Sequence, residues 1–470
     1  MRLPANLGTI HIVGIGGIGM SAIAEVLHGR GYSVQGSDQK DGYTLERLRK
    51  LGIPVFVGHA AENIRAAGNV VISTAVKPGN PELDAARARG LPIIRRAEML
   101  SEIMRLYDTI SVTGTHGKTT TTSLIAHLLT RGGTDPTVIT GGIVLDWGSN
   151  ARLGKGPWMV VEADESDGTF VRLPTRIGVV TNTDPEHLDY FGTVENMHHE
   201  FCQFLTQIPF YGVAVACIDH PVTRALVEAA GLRRDGRPLL TYGEHVGADL
   251  RLSSVSVAGR NMTFDVELGA RVPGGARTLT GLALPVPGHH NALNAVAAFA
   301  VANSVGLSDQ AIRDGLASFA GVKRRYQPTG SWNGATIYDD YGHHPVEIAA
   351  VLKAARAGAA GARVIAVCEP HRYTRLRDLF AEFAACFADA DAVIVGPLYA
   401  AGEAPIPGIS HQALAAAISA NGHPPAVSVD EPRALVPQLK SMIRPGDTVL
   451  CFGAGNSTEW AHDLPRWLAE

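Results

Sequence analysis

The chain has 470 residues, which is too long for one ordinary hydrophobic core and predicts two or three domains. Hydrophobic residues make up 46% of the chain and charged residues 18%, a balance that excludes an intrinsically disordered protein. The formal net charge of −4 argues against a dedicated nucleic-acid-binding protein, because such proteins usually carry an excess of basic residues.

The first stretch of the chain, up to about residue 107, alternates short apolar runs with helical patterns, which predicts a parallel sheet covered by helices. The strand "TIHIV" leads into a glycine-rich turn, in which Gly14, Gly16 and Gly19 fit the pattern G-x-G-x-x-G. Asp38 follows at the distance expected of a ribose-binding acid. Alone, this pattern suggests a nicotinamide-dependent dehydrogenase, but its geometry would serve any ligand with a ribose and a diphosphate.

A second glycine-rich loop follows the strand "TISV", near the start of a second unit. Gly114, Gly117, Lys118 and Thr119 form G-x-x-G-K-T between a strand and a helix, where backbone N–H groups and the helix N-terminus can hold an anion. The lysine would neutralise the β- and γ-phosphates, and the threonine hydroxyl would bind Mg²⁺. The loop is shorter than the standard phosphate-binding pattern, so a tight glycine turn with an exposed lysine is the alternative. The strand–loop–helix context favours a phosphate-binding loop.

Polar side chains follow the next two strands of this unit. In "VVEADESDGTF" and "VVTNTDPEHLDYFG" they are Glu162, Asp164, Glu165, Asp167, Asn182, Asp184, His187 and Asp189. Because the carboxyl ends of the strands carry the site in open α/β sheets, these carboxylates and the imidazole are candidate partners of Mg²⁺. The alternative is a set of solvated loop acids.

The remaining sequence contains a change of pattern and then a third alternating unit. Between about Asp249 and Leu284, apolar and polar residues alternate, which predicts antiparallel strands with one face in water. Strands and helices alternate again after "GVKRRYQPTG", and the turn "GAGN" near the end is interpreted as structural. We therefore predict an α/β protein of three domains: Rossmann-like at 1–107, P-loop ATPase-like with a mixed sheet at 108–325, and Rossmann-like at 326–470.

Two phosphate-binding loops in one chain favour a ligase over a dehydrogenase, because a redox enzyme has no evident use for the second loop.

The five cysteines are far apart and form no CxxC pair, so we expect reduced thiols. The N-terminal "MRLPANLG" has no signal-peptide pattern, and no apolar run approaches the length of a membrane span. We expect a cytoplasmic protein.

The sequence resembles a known family, the muramyl ligases of peptidoglycan synthesis, nearly from end to end. The motifs that carry the resemblance are, in order, "HIVGIGGIGMSAIAEVL", "GTHGKTTTTSL", "VEADESDGTF", "NTDPEHLDYFG", "PGHHNALNAVAAFAVA", "GVKRRYQ", "DDYGHHPVEI", "PHRYTRLRDLF", "AGEAPIPGIS" and "FGAGN". The resemblance implies a UDP-sugar domain, a central ATPase and a C-terminal domain that brings the amino acid. It also implies a reaction: ATP converts the lactyl carboxylate of UDP-N-acetylmuramate to an acyl phosphate, which the amine of L-alanine attacks.

The resemblance implies an ATP site and a set of catalytic residues. The ATP-binding residues would be Gly114, Thr115, His116, Gly117, Lys118, Thr119, Thr120, Asn291, Asn294, Arg325 and Asp340. The catalytic residues would be Lys118, His187, Asn291, Arg325, Asp340 and His343. Lys118 resembles the lysine that contacts the γ-phosphate. Helix N-terminal capping by Asn291 and a solvated basic run ending at Arg325 remain alternatives.

The resemblance also implies two divalent cations, Mg²⁺ or Mn²⁺. Thr119 and Glu162 resemble ligands of one cation, and His187 resembles a ligand of the second. Asp164 and Glu165 stay open as alternatives to Glu162.

The two remaining substrates are each assigned a set of residues by the resemblance. The UDP-sugar residues would be Gly14, Gly16, Gly17, Ile18, Gly19, Asp38, Ser73 and Thr74, although ordinary strand-end capping explains the last two equally well. The amino-acid residues would be Tyr341, His343, Arg372 and Arg375. A guanidinium suits the alanine carboxylate, although "HRYTR" is also compatible with a solvated helix start. His343 is the candidate to accept the amine proton.

Two features depart from the family pattern. Several members place a carbamylated lysine across the two cations, but this chain has no lysine between Lys155 and Lys323, so another group or water must take that place. Glu369 stands where the family pattern predicts glutamine, which would put an additional carboxylate near the alanine site.

Three alternative functions remain at this level. One is a recycling ligase that attaches a preformed peptide to the same UDP-sugar, one is the dehydrogenase, and one is a catalytically silent scaffold. The expected partners are the small-molecule substrates UDP-N-acetylmuramate and L-alanine, with no nucleic acid and no membrane. The chain would act as a monomer or a homodimer.

Overall fold

The structure is a computed structural model that describes residues 7–73, 75–422 and 425–470.

The first sheet is built from the short apolar runs at the start of the chain. The strands are β1 (Thr9–Val13), β2 (Val34–Asp38), β3 (Val55–Val57), β4 (Ala67–Ile72) and β5 (Ile93–Arg95), and the helices are α1 (Ile18–Gly29), α2 (Tyr43–Lys50), α3 (Pro81–Ala88) and α4 (Arg96–Met104). All described strand pairs are parallel, in the order β3-β2-β1-β4-β5. This is the Rossmann strand order 3-2-1-4-5-6 without its last strand, and the first glycine loop leaves β1 at the switch point between β1 and β4.

The central sheet combines a parallel half with antiparallel edges. Its strands are β6 (Asp108–Thr113), β7 (Thr137–Val144), β8 (Ser149–Arg152), β9 (Trp158–Glu162), β10 (Ile177–Val180), β11 (Val213–Cys217), β12 (Leu239–Gly243), β13 (Leu250–Ala258), β14 (Asn261–Leu268) and β15 (Arg277–Leu284). Their order is β15-β14-β13-β12-β11-β10-β6-β9-β7-β8. Since β6 lies between β10 and β9, the phosphate loop after β6 and the polar segments after β9 and β10 leave the same edge.

The predicted alternation in the later central strands is confirmed. Buried and exposed residues alternate along β13 and β14, as expected of strands with one face in water. Only two residues connect them, and a link that short requires an antiparallel pair. The helices of this part of the chain are α5 (Lys118–Arg131), α6 (Leu188–Phe191), α7 (Val194–Gln207), α8 (Pro221–Ala229), α9 (His289–Val305) and α10 (Asp309–Ala317).

The third sheet is parallel except at one edge. Its strands are β16 (Gln327–Trp332), β17 (Ala335–Asp340), β18 (Val364–Cys368), β19 (Ala392–Val395), β20 (Ala426–Ser428) and β21 (Thr448–Phe452), in the order β16-β17-β21-β18-β19-β20. Its helices are α11 (Pro345–Gly358), α12 (Tyr373–Asp378), α13 (Phe380–Ala385), α14 (His411–Ala420), α15 (Leu435–Met442) and α16 (Ser457–Ala469). Leu450 and Phe452 belong to one apolar core and Val449 and Cys451 to another, so β21 is buried on both faces.

The chain divides into two compact units. Unit one contains the described residues of Met1–Ser253, Val266–Thr280 and Leu293–Leu316, and unit two contains Ser254–Asp265, Gly281–Ala292 and the described residues of Ala317–Glu470. The first sheet belongs to unit one, where α1 packs against β7 and β8. The domain boundaries at residues 107 and 325 therefore stay predictions.

The five cysteines are free thiols. In the described ranges no helix has both the length and the apolar character needed to cross a bilayer.

Candidate active site

The loop between β6 and α5 has the backbone of an anion cradle. Gly117 has a φ of +82°, a conformation that residues with a Cβ rarely adopt. A Cβ at this position would lie 2.6 Å from Oδ1 of Asn294, which also accepts a hydrogen bond from Thr121. α5 begins at the next residue, so its N-terminal N–H groups and its positive dipole end face the loop.

Lys118 is held inside this loop by three acceptors. Its Nζ donates to the carbonyl oxygens of Gly114 and Thr115, at 2.7 and 3.0 Å, and to Oε1 of Glu165 at 2.7 Å. Burial alone would lower the pKa of Lys118, but Glu165 and the other nearby carboxylates outweigh burial and raise it. The side chain is therefore an ammonium ion whose three donors are all used.

Glu165 is the most deeply buried carboxylate of this cluster, with 1% of its surface exposed. Burial raises its pKa to about 7, although Lys118 acts in the opposite direction. Its Oε2 is buried and has no hydrogen-bond partner in the part of the chain that the structure describes. An unpartnered carboxylate oxygen in such a place points to a charged ligand.

His187 lies beside Glu165 and beside a residue that the sequence analysis missed. Nε2 of His187 is 3.7 Å from Oε1 of Glu165 and 4.0 Å from Oε2 of Glu186. One ligand atom from each of the three residues falls within 4.8 Å of the others. Trans ligands around Mg²⁺ are separated by about 4.2 Å, so this spacing is close to that of a single cation site. Glu186 precedes the histidine in "DPEHLD", but nothing in that pattern distinguishes it from a solvated acid.

Thr119 and Glu162, the predicted ligands of the other cation, are in direct contact. Oγ1 of Thr119 donates to Oε1 of Glu162 at 3.0 Å, and Oε2 of Glu162 accepts from Thr140 and from the N–H of Gly141. Oδ1 of Asp164 accepts from the N–H of Ser166 at 3.0 Å. Burial would raise the pKa of Asp164, but this hydrogen bond and the charge of Lys118 lower it.

The other residues of the predicted ATP loop are tied to the segment after β10. Oγ1 of Thr115 donates to the carbonyl oxygen of Asp184, and the N–H of His116 donates to Oδ1 of Asn182. Thr120 is buried in the first turn of α5. The structure therefore brings the predicted loop residues of unit one together, with Asn294 beside them.

In the first glycine loop, two backbone N–H groups already donate hydrogen bonds to acceptors of the protein itself. The N–H of Gly16 donates to Oδ2 of Asp38 at 2.9 Å, and that of Gly17 donates to the carbonyl oxygen of Gly14 at 3.1 Å. Two of the amides predicted to meet a diphosphate are thus engaged in this structure. Ile18 is half-exposed, and its carbonyl oxygen accepts from Nδ2 of Asn150 on β8, at 2.6 Å.

Other predicted sugar residues lie near this loop or outside the described residues. A Cβ on Gly19 would lie 3.4 Å from the side chain of Arg96, a cation that the sequence analysis did not single out. The guanidinium of Arg96 is 3.7 Å from the carboxylate of Asp167, in the acidic segment after β9. Ser73 follows β4 directly. Thr74 lies outside the described residues.

In unit two, Asp340 is a buried carboxylate at the end of β17. It accepts from the N–H groups of Gly342 and Tyr326, both at 2.8 Å. Burial raises the pKa of Asp340 to about 6, although Arg325 opposes the shift. The guanidinium of Arg325 lies over the ring of Tyr341, 5.3 Å from its centre.

Asn291 lies within the first turn of α9, which begins at His289, rather than at its N-cap. Its Nδ2 donates to the carbonyl oxygen of Pro287 at 2.7 Å. Its neighbour His290 is buried, and burial together with the charge of Arg325 lowers the pKa of His290 to about 4. The N-capping alternative is therefore not what the structure shows.

The predicted amino-acid residues gather around two aromatic side chains that the sequence analysis missed. The ring of His343 lies 5.1 Å from that of Tyr341 and 5.8 Å from that of His371, which in turn stacks on Tyr399 at 5.4 Å. Nη1 of Arg375 is 3.3 Å from Nδ1 of His371. His371 is part of the motif "PHRYTR", whereas no pattern marks Tyr399.

Two details of this ring cluster decide its charge and shape. Burial, with His343 and Arg375, lowers the pKa of His371 to about 4, so its imidazole is neutral at pH 7. Arg372 is exposed and has a φ of +66°, a strained value for a residue other than glycine. Its N–H donates to the carbonyl oxygen of Tyr399.

Three matches to one family cover nearly the whole chain. Residues 9–108 match "Mur ligase family, catalytic domain", residues 112–302 match "Mur ligase middle domain", and residues 324–455 match "Mur ligase, glutamate ligase domain". The chain is 56% identical over 469 residues to a UDP-N-acetylmuramate–L-alanine ligase of Mesorhizobium japonicum, with 100% of both chains covered. It is 57% identical over 470 residues to the protein of the same name in Brucella anthropi, with 100% of this chain and 99% of that one covered.

The solved structures agree with these matches. The UDP-N-acetylmuramate–alanine ligase of Thermotoga maritima superimposes with a TM-score of 0.82 at 28% identity, covering 98% of this chain and 99% of that one. A murein peptide ligase of Psychrobacter arcticus has a TM-score of 0.70 at 23% identity, with the same coverage, and shows the shared fold alone. Three predicted α/β domains, two Rossmann-like and one ATPase-like, are confirmed by these findings. The chain belongs to the Mur ligase family.

Proposed function

We propose that this chain joins L-alanine to UDP-N-acetylmuramate in an ATP-dependent reaction of peptidoglycan precursor synthesis. Its relatives at 56–57% identity carry the name of that ligase over their full length. The observation that carries the chemistry is the loop around Lys118, in which a buried ammonium ion faces a cluster of carboxylates and an imidazole.

The residue types suit acyl activation. A carboxylate is a poor electrophile, so the γ-phosphoryl group of ATP must first be transferred to the lactyl carboxylate, and two anions must approach each other. The ammonium of Lys118 and the N–H groups at the start of α5 offset that repulsion. Because all three donors of Lys118 are already used, a γ-phosphate has to replace Glu165 or a loop carbonyl as its partner.

The donor sets in unit one fit divalent cations. Thr119 and Glu162 would hold one, and His187 with Glu165 and Glu186 would hold the second. A bound Mg²⁺ or Mn²⁺ would neutralise charge on the transferring phosphate. The unpartnered Oε2 of Glu165 supports this set. The two glutamates would take the place of a carbamylated lysine, because the chain has no lysine between Lys155 and Lys323.

The two other substrates are assigned to the loops that the sequence predicts. The turn after β1 would bind the diphosphate of the UDP-sugar, with the amide of Gly16 exchanging Asp38 for the ligand. Arg372 and Arg375 would bind the alanine carboxylate, and His343 would accept the proton of the amine. The neutral imidazole of His371 leaves the arginines as the cations of this pocket.

ADP release with UDP-N-acetylmuramate and a panel of amines tests the proposal. We expect release with L-alanine and none when the amine or the UDP-sugar is omitted. Release with the preformed tripeptide but not with L-alanine would favour the recycling ligase. Nicotinamide turnover without ATP would favour the dehydrogenase. A cytoplasmic location and the monomer-or-homodimer state stay predictions.

A further inference from the structure

The turn "GAGN", between β21 and α16, is filled by a carboxylate of the protein itself. Oε1 of Glu369 accepts from the N–H of Asn456 at 2.9 Å, and Oε2 accepts from the N–H groups of Gly455 and Ser457, both at 3.1 Å. Glu369 is 2% exposed and lies at the positive end of α16. The additional carboxylate predicted near the alanine site is therefore turned into this helix start.

The contact leaves no room for a larger residue in the turn. A Cβ on Gly455 would lie 2.7 Å from Oε2 of Glu369 and 2.5 Å from Cγ of Tyr399. Tyr399 is thereby in contact with the turn on one side and stacks on His371 on the other, with the two ring planes 9° apart. The "GAGN" turn and the ring cluster form one continuous packed group.

The residues directly after Glu369 complete the connection. The carbonyl oxygen of Pro370 accepts from the N–H of Tyr399, and the carbonyl oxygen of Tyr399 accepts from the N–H of Arg372, both at 2.8 Å. Arg372 keeps its positive φ in this segment, a strained conformation that persists only where its surroundings hold it. Glu369 anchors one end of that segment to α16.

We propose that Glu369 is a positioning residue for the amino-acid substrate: its carboxylate occupies the turn at the start of α16 and so fixes the segment from Pro370 to Arg372 and the ring of Tyr399. The inference rests on the proposed function, in which Arg372, Arg375 and His343 meet L-alanine. Glu369 itself does not touch the substrate. A residue that only stabilised the fold would affect all three substrates. The contacts of Glu369 lead to Arg372 and Tyr399, at the pocket proposed for L-alanine.

Steady-state kinetics of three variants test this role, with KM measured separately for L-alanine, ATP and UDP-N-acetylmuramate. Glu369→Ala removes three charge-assisted hydrogen bonds and should raise the KM for L-alanine about tenfold or more. Glu369→Gln keeps one acceptor oxygen and should raise it about threefold. Gly455→Ala should raise it as well, because the added methyl group displaces Tyr399. In all three, the KM values for ATP and the UDP-sugar should stay within about twofold.

Glu382→Gln, at an exposed position on α13, is the matched control and should change nothing. An unchanged KM for L-alanine in the folded variants would overturn the proposal, as would an equal rise of all three KM values. If Glu369→Ala does not fold, Glu369→Gln and Gly455→Ala decide between the same outcomes. Failure of the proposed function is a separate result, because the wild-type protein would then release no ADP with L-alanine.

Discussion

The loops after β6 and after β21 share a plan and differ in what fills them. Each connects a buried parallel strand to a helix through glycines, with N–H groups at the helix start. After β6, Lys118 lies in the loop and Glu165 approaches it from the neighbouring segment. After β21 there is no lysine, and Glu369 accepts directly from the amides. In the turn after β21 the amides are therefore already occupied by an anion of the protein, whereas in the loop after β6 the carboxylate of Glu165 meets the lysine.

Removing the cation of the first loop is the strongest way to break this contrast. We expect Lys118→Ala to lower ADP release by about a thousandfold or more, because the phosphoryl group then meets the carboxylates without a counter-charge. Binding of UDP-N-acetylmuramate, measured by calorimetry, should persist. Lys155→Ala, at an exposed lysine, is the control. Turnover near the wild-type rate in Lys118→Ala would show that the loop has another role.

Acid should affect the surroundings of His290 and those of Glu165 in opposite directions. The pKa of His290 in unit two is lowered to about 4, so its neutral form stabilises the fold above pH 6.5, and that stability is lost as the pH falls towards 4. The loss amounts to about 3 kcal/mol. The pKa of Glu165 in unit one is raised to about 7, so its contribution is fully present below pH 4.5 and is lost as the pH rises through 7.

Hydrogen exchange of peptides from each unit, corrected for the intrinsic rate, measures this difference. Between pH 6.5 and 4.5, protection near His290 should fall while protection near Glu165 does not. His290→Asn should flatten the pH dependence of protection in the peptides around position 290. A wild-type profile that falls equally in both units would contradict the assigned shifts.

The smallest expected effect concerns the ligands around His187. Glu186→Gln should weaken Mn²⁺ binding in the presence of a non-hydrolysable ATP analogue by about tenfold, since one anionic ligand is lost. Titration calorimetry or the electron paramagnetic resonance of free Mn²⁺ gives the affinity without catalysis. Glu195→Gln, exposed in the first turn of α7, is the matched control. Equal affinities in both variants would remove Glu186 from the site and leave Glu165 with His187.

Local patterns were sufficient to predict the strands, the glycine loops and the polar residues at the strand ends. The apolar run before Gly114 and the helix after Lys118 are properties of adjacent residues, so the loop could be recognised. Which of Glu162, Asp164 and Glu165 meets the lysine depends on how the segment after β9 turns back beside β6, and composition does not encode that turn.

The pairings that were missed are long-range. Glu369 meets amides 86 to 88 residues further along the chain, and Asp38 meets the amide of Gly16 from the neighbouring strand. Tyr399 has no neighbouring motif, because its role follows from its contacts with Gly455 and His371. Such partners are set by strand order and packing, which become visible only in the fold.

The saturated ammonium of Lys118 has a consequence for product inhibition. With three acceptors at 2.7–3.0 Å, it already has a full set of hydrogen bonds when no nucleotide is bound. Orthophosphate, which the ligation itself releases, would have to displace Glu165 or a loop carbonyl. Its new hydrogen bond to Lys118 would gain little more free energy than the broken one loses. A triphosphate would add contacts to the N–H groups at the start of α5 that offset that exchange, so the resting loop would discriminate against the by-product while remaining open to fresh nucleotide.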